Sequence, residues 1–247
     1  MRLDGIEVKV TLGGDGTDAA VRALGLTGGQ SWRIHFCEDV VPGALPGTPL
    51  LDRGVVLRAR SKPEGKGDST IKLRPARLSQ LTGRWLSARE GETADGHDWE
   101  VEVEADWAGE RRVLAVSHTV DRPPPLDGIE ADGRSAEELF TEEQAAFLRD
   151  CADVPVQLAA LTVLPPVAAT RWKEVRSAPP DLGVRAERWT VDHLDFLELS
   201  VVARDPAEAA ARQHALTGFV LSCGLPADPQ PQSKTGQVLD HLVRRAG

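Results

Sequence analysis

In almost every stretch of this chain that reads as a strand, charged residues alternate with apolar ones. The pairs run Glu7 and Lys9, Arg58 and Arg60, Lys72 and Arg74, Glu100 to Glu104, Arg171 and Lys173, Arg185 and Glu187. Partners two apart project from one face of a strand, while residues such as Val8, Leu57, Leu73 and Val101 fill the other. The chain must therefore build sheet with one ionic face and one apolar face. Parallel strands buried on both sides read as continuous apolar runs, so antiparallel pairing is expected. Turned inward in a barrel, the ionic face is a polyanion site with carboxylates available for a metal. Turned outward, it is the solvated side of a sandwich.

The strands are read at Gly5–Leu12, Ser31–Glu38, Gly54–Ser61, Ser69–Pro75, Trp99–Asp106, Arg111–Thr119, Thr170–Arg176, Val184–Val191 and Phe196–Ala203. Lys62–Asp68 (KPEGKGD) reads as a hairpin loop between two of them, and the Pro-, Gly- and Asp-rich Asp121–Gly133 as a surface loop. Helices are expected over Thr17–Leu24, over Ser135–Asp150 with a Ser-x-x-Glu capping box, over Pro206–Cys223 and over Thr235–Arg245. The expected class is α+β, an antiparallel barrel of about eight strands with helices packed outside.

The 247 residues are read as one domain, 1–247, and carry a formal net charge of -9. That balance argues against broad binding to nucleic acid or an anionic membrane, so a basic site must be local. Three cysteines, Cys37, Cys151 and Cys223, are too few and too scattered for a disulfide framework or structural zinc. No signal pattern opens the sequence and no apolar run nears the roughly 18 residues of a membrane helix, which places the chain in the cytoplasm.

Familiar catalytic motifs are missing. Gly13-Gly14-Asp15-Gly16 lacks dinucleotide-loop spacing, and Gly65-Lys66-Gly67 lacks the earlier glycine of a P-loop; both read as turns. The histidines show no metal-ligand spacing, and the serines form no G-x-S-x-G elbow.

The order of the elements resembles the CYTH, or triphosphate tunnel metalloenzyme, superfamily. Gly5-Ile6-Glu7-Val8-Lys9 matches its N-terminal E-x-E-x-K strand. HFCED…PLLDRGVVLRAR matches the approach to its R-x-R strand, TIKLR its next basic strand, and EVEVEAD an acidic one. Arg171 and Lys173 fall where a later basic strand is expected. VRAERW…DFLELSVVARDPAEAAARQHALTGFVLSCGL is similar to its closing strands and helix. Two acids of the family pattern are absent, Gly5 standing for one and Ser200 for the other, and the stretches around 77–98 and 121–133 are long insertions.

The resemblance implies a tunnel. Lys9, Arg58, Arg60, Lys72, Arg74, Arg171, Lys173 and Arg185 would hold phosphoryl oxygens. Glu7, Glu187, Glu198, Glu102 and Glu104 would hold Mg²⁺ or Mn²⁺. Lys9, Arg58, Arg60 and Glu198 would be the catalytic set. The activity implied is metal-dependent hydrolysis of inorganic triphosphate or a small organic triphosphate. The alternatives are a non-catalytic binder of nucleotides or polyphosphate, and a class IV-type adenylyl cyclase.

Overall fold

The alternating stretches all form strands, and the strands close on themselves. The computed structural model describes residues 3–246 apart from 42, 44, 63–64, 122–134 and 227–231. The strands are β1 (Gly5–Gly13), β2 (Gln30–Glu38), β3 (Val55–Ser61), β4 (Gly67–Leu73), β5 (Glu90–Glu92), β6 (Asp98–Ala108), β7 (Arg111–Asp121), β8 (Thr162–Val163), β9 (Val167–Trp172), β10 (Arg185–Val191) and β11 (Leu194–Ala203). Nine of them form a ring in the order β1-β11-β10-β9-β2-β3-β4-β7-β6, and β6 returns to β1; short β5 and β8 hang from β6 and β2. The closing pair, β1 with β6, is parallel while every other pairing is antiparallel, so the barrel is mixed and slightly larger than expected.

Closure separates the two faces. Ile6, Val8 and Leu12 of β1 pack with Leu197, Leu199 and Val201 of β11 against α1 (Thr17–Ala23) and α4 (Pro206–Ser222). Leu57, Ile71, Val103 and Val116 pack against α3 (Glu142–Cys151) and against Leu81 and Trp85. The region 77–98 thus covers the outer barrel wall, with Trp85 fully buried and its indole N–H donating to Asp150 at 2.8 Å. The remaining helices are the short α2 (Pro49–Asp52) and the C-terminal α5 (Lys234–Ala246).

Local signals account for the helix ends. Asp205 caps α4 by accepting from the Glu208 N–H at 2.9 Å, with Pro206 in the first turn. The helix expected over Ser135–Asp150 is divided: Ala136–Leu139 is a 3₁₀ turn, and α3 begins only after Thr141, whose capping box with Gln144 replaces the expected one at Ser135. The expected loop Lys62–Asp68 is also shorter, because Gly67 and Asp68 already pair with Ser61 and Arg60 in the β3–β4 ladder. The loop read at 121–133 lies, beyond Asp121, outside the described residues.

The inner face changes character along the barrel. Glu187 and Arg171 give way along their strands to Trp189, Val191, Ala169 and Val167. These join Trp32, Ile34, Phe36 and Phe196 in one apolar cluster with Val238, Leu239, Leu242 and Val243 of α5. The C-terminal helix therefore covers the end of the barrel whose inner face is apolar. The other end is left to the charges.

Candidate functional site

The ionic faces line a cavity of about 900 Å³. Its walls include Glu7 and Lys9 from β1, Arg58 and Arg60 from β3, Lys72 from β4 and Arg74 just beyond it. Glu100, Glu102 and Glu104 come from β6, Arg171 from β9, Glu187 from β10, Glu198 from β11 and Lys234 from α5. Arg74 lies past the end of β4 but is held in place, its N–H donating to the Gly54 carbonyl at 2.7 Å. Gly54 has φ 77° and would bring a Cβ to 3.2 Å from the Arg74 carbonyl, so this approach of two backbones needs glycine.

Two buried aspartates organise the cations. Asp106, opposite Glu7 in the parallel pairing, accepts from Lys9 Nζ at 2.9 Å and faces Arg74 Nε at 3.0 Å and Lys72 Nζ at 3.6 Å. Burial alone would raise its carboxyl, but Lys9, Lys72 and Arg74 hold it well below the usual carboxylate range. Asp68 plays the same part on the neighbouring strands, accepting from Arg60 Nε and Nη2 and holding the Lys62 ammonium at 2.6 Å. Burial again opposes its ionisation, and Arg60, Arg58 and Lys62 together keep its carboxyl below the ordinary value.

Arg58 stands between these clamps without one of its own. Among the described residues it makes no ion pair; Nη2 donates weakly to Thr70 at 3.4 Å, and Nε is buried with no partner. Burial, with Arg60 adding to it, pulls the guanidinium down to about 10. Arg171 likewise has no carboxylate contact among the described residues, and its guanidinium rests 5.0 Å from the centroid of the Trp32 ring.

The acids fall into two groups. Glu100, Glu102 and Glu104 share one side of β6. Burial, then the charges of Glu104 and Glu100, lift the Glu102 carboxyl to about 7. Glu187 and Glu198 oppose each other in the β10–β11 ladder. Burial would raise both, yet Lys234 holds both below the ordinary carboxylate value, with Lys9 contributing at Glu198. The Lys9 ammonium, which burial would lower, is raised by Glu7, Asp106 and Glu198.

These contacts bear on Mg²⁺ or Mn²⁺. Glu7 is taken by Lys9 at 2.6 Å, Glu198 by Lys234 at 3.2 Å, and Glu104 by Lys72 at 3.4 Å. Among the described residues no three His, Cys, Asp or Glu side chains are arranged to hold a metal. In this arrangement the acidic set does not fit a resident divalent ion.

Two expected anion ligands lie elsewhere. Lys173 is exposed because β9 ends at Trp172, so the alternation no longer aims its side chain. Arg185 opens β10 at an exposed position and does not line the cavity. The missing acids leave visible marks: Gly5 sits opposite Glu104, and a Cβ there would press on Val202 at 3.3 Å, while Ser200 pairs with Lys9 and Arg185. Sequence reasoning missed Asp68, Asp106 and Lys234. For the two aspartates the signal was present, since both continue the period-two rows of their strands. Lys234 carried none, because it reaches the cavity from a helix.

No protein-family model matches the chain, and no curated protein matches it in sequence. Among solved structures it superposes on a candidate adenylate cyclase from Bacillus halodurans. The TM-score is 0.53 at 12% identity, over 96% of this chain and 97% of that one. The fold is shared. A candidate adenylyl cyclase from Hippeastrum, described as having a dominant triphosphatase activity, matches with TM-score 0.54 at 14% identity, over 93% and 92%. At such identity the likeness carries architecture, and the chemistry must be argued from the cavity. No helix among the described residues is long and apolar enough to cross a membrane.

Proposed function

We propose that the cavity binds the phosphate chain of inorganic triphosphate or of a small organic triphosphate. The observation that carries this reading is Arg58, a guanidinium drawn into a cavity where no carboxylate among the described residues contacts it. Such a group costs stability unless an anion completes it. The fork of a guanidinium suits bidentate contact with phosphoryl oxygens, and the pinned ammonium groups of Lys9 and Lys72 add point charge along the chain. The candidate cyclases with the same fold, one of them a triphosphatase, support the same ligand class.

Calorimetric titration of tripolyphosphate into the wild type and Arg58→Met tests it. Binding by the wild type that R58M loses is the expected result. Equal affinity in both, or no binding by either, overturns the reading.

Hydrolysis of the bound chain is a second reading, favoured by Glu102. Its carboxyl, near 7, faces the cavity and can accept a proton from water at neutral pH. The water oxygen would bond to the terminal phosphorus as the bridging P–O bond breaks. The departing diphosphate oxygen would keep the electron pair beside the cations, and the water's proton would pass to Glu102. Release of phosphate from tripolyphosphate, assayed with and without Mg²⁺ or Mn²⁺, checks this; binding without release makes the protein a sensor or carrier.

A further inference from the structure

The chain itself neutralises one acidic corner of the cavity. Glu187 and Glu198 are register partners on β10 and β11, and the inner faces bring both carboxylates together. One or two carboxylates, completed by phosphate oxygens and water, are the usual holding of Mg²⁺. Here Lys234 Nζ lies 3.2 Å from Glu198 Oε1 and 3.9 Å from Glu187 Oε2. The lysine side chain is only 4% exposed. Its ammonium also sits 3.9 Å from the centroid of the Trp189 ring. Trp189 donates its indole N–H to Glu187 at 2.7 Å, and the Thr11 hydroxyl donates to Glu198 at 3.4 Å, so both carboxylates are oriented. An aromatic face attracts an ammonium but offers no lone pair for a divalent ion to coordinate. The corner is shaped for the charge that is already in it.

Lys234 is also anchored. It opens α5, whose Val238, Leu239, Leu242 and Val243 are buried against the barrel. Near the other end of the helix, His241 and Arg245 both reach Asp192 in the β10–β11 turn, at 2.7 and 2.6 Å. Removing the ammonium means shifting this helix or stripping two enclosed carboxylates of their counter-charge. A divalent ion arriving at the pair meets a tethered positive charge a few ångströms away.

We propose that Lys234 is a built-in substitute for the divalent ion. Its ammonium fills the cation position at Glu187 and Glu198, and the phosphate chain is bound by side-chain cations without metal. Only the second half rests on reading the cavity as a phosphate site.

Electron paramagnetic resonance of Mn²⁺ titrated into the full chain, with no anion present, tests the first half. Wild type should leave the free-ion signal as it is in buffer. Lys234→Met should deplete it, with a gain in affinity of about tenfold or more, as expected of a vacated carboxylate pair. Adding Glu187→Gln and Glu198→Gln to K234M should restore the free signal. Mn²⁺ uptake by the wild type that Glu198→Gln removes would overturn the proposal. So would a folded K234M with no gain.

The second half needs no variant. Wild-type affinity for tripolyphosphate should be the same in EDTA as with Mn²⁺, once the metal complex of free triphosphate is allowed for. A tenfold tightening by Mn²⁺, about 1.4 kcal/mol, would overturn it. Absence of tripolyphosphate binding under both conditions would remove the anion reading together with this half, while the Mn²⁺ titrations would still decide the cation position.

Discussion

Arg60 and Asp68 face each other across the β3–β4 ladder, the guanidinium donating from Nε at 2.7 Å and from Nη2 at 2.9 Å to the two carboxylate oxygens. Asp68 is 1% exposed at its side chain and also holds Lys62, so two cations depend on one carboxylate. Asp68→Asn leaves Arg60 without its carboxylate beside Arg58, and leaves Lys62 only its longer contact to Asp121 at 3.6 Å among the described residues. Breaking a buried pair by removing one partner costs about 3 kcal/mol or more, and urea unfolding of D68N should show a loss of that order. Saturating tripolyphosphate should return part of it, because the ligand supplies the missing negative charge. A loss that the anion leaves untouched would mean that these cations do not reach the ligand.

Arg58 behaves in the opposite way. It has no carboxylate contact among the described residues, so Arg58→Met removes an unpaired guanidinium and keeps much of the side-chain volume. The melting temperature of the free protein should hold or rise. Affinity for tripolyphosphate should fall by roughly 10- to 100-fold, the worth of one or two charge-assisted hydrogen bonds. Arg60→Met should lower the melting temperature, since it takes the two-pronged partner from buried Asp68 and leaves that carboxylate to Lys62 alone among the described residues. Thermal unfolding and calorimetry on the two variants separate the cation kept for a ligand from the cation kept for the fold.

Much of the barrel was legible because period two is a strict code. A strand that places Leu57 outward must place Arg58 inward, and once the sheet closes the whole ionic row converges. The same code reaches further. Asp106 and Asp68 stand in those rows, yet Asp68 reads as loop because Gly65, Gly67 and Lys66 dominate its surroundings. Alternation also stops being informative where a strand stops: Lys173 keeps the spacing of Arg171, but β9 has ended. Lys234 was illegible for a different reason. Its place depends on how α5 docks across the barrel end, and that docking is set by apolar contacts from Trp32 to Phe196 that no local pattern announces. The parallel closure of β1 on β6 is similarly a property of the ring and of no single strand.

Glu102 should make anion binding depend on pH near neutrality. Its carboxyl is raised from 4.5 to about 7. It is therefore neutral in the folded protein below that pH and gains its negative charge as the pH rises through it. Tripolyphosphate affinity, measured by calorimetry from pH 6 to about pH 8, should weaken across this interval. Glu102→Gln should bind more evenly, the remaining slope reporting the ligand's own ionisation. Stability moves with the same sign. A folded-state value above the unfolded one contributes stability at low pH that is lost as pH rises through the folded value, so E102Q should melt higher than wild type at alkaline pH. At about pH 4, below the ordinary value of 4.5 where the carboxyl is protonated folded or unfolded, the two should differ little.

His118 sets an acid limit on the opposite, outer face of the barrel. Its ring is 0% exposed, stacks on Trp99 with centroids 5.2 Å apart, and meets Trp85 edge-on at 5.3 Å. Neither ring nitrogen has a hydrogen-bond partner among the described residues. Burial, and secondarily Arg84, lowers its value from 6.5 to about 4. The unfolded chain therefore takes up a proton from about pH 6.5 downward while the folded chain refuses it until about pH 4. Stability from this residue is complete above the higher value, declines as pH falls between the two, and is gone below the lower. The loss amounts to roughly 3 kcal/mol for a shift of this size. His118→Phe keeps the ring among Trp85, Trp99 and Phe147 and removes the proton site. Urea unfolding of wild type and H118F at pH 7.5 and pH 4 should therefore show a smaller acid loss in the variant, by about that amount. Parallel losses in the two proteins would mean that His118 is protonated within the fold or already neutral in the unfolded chain.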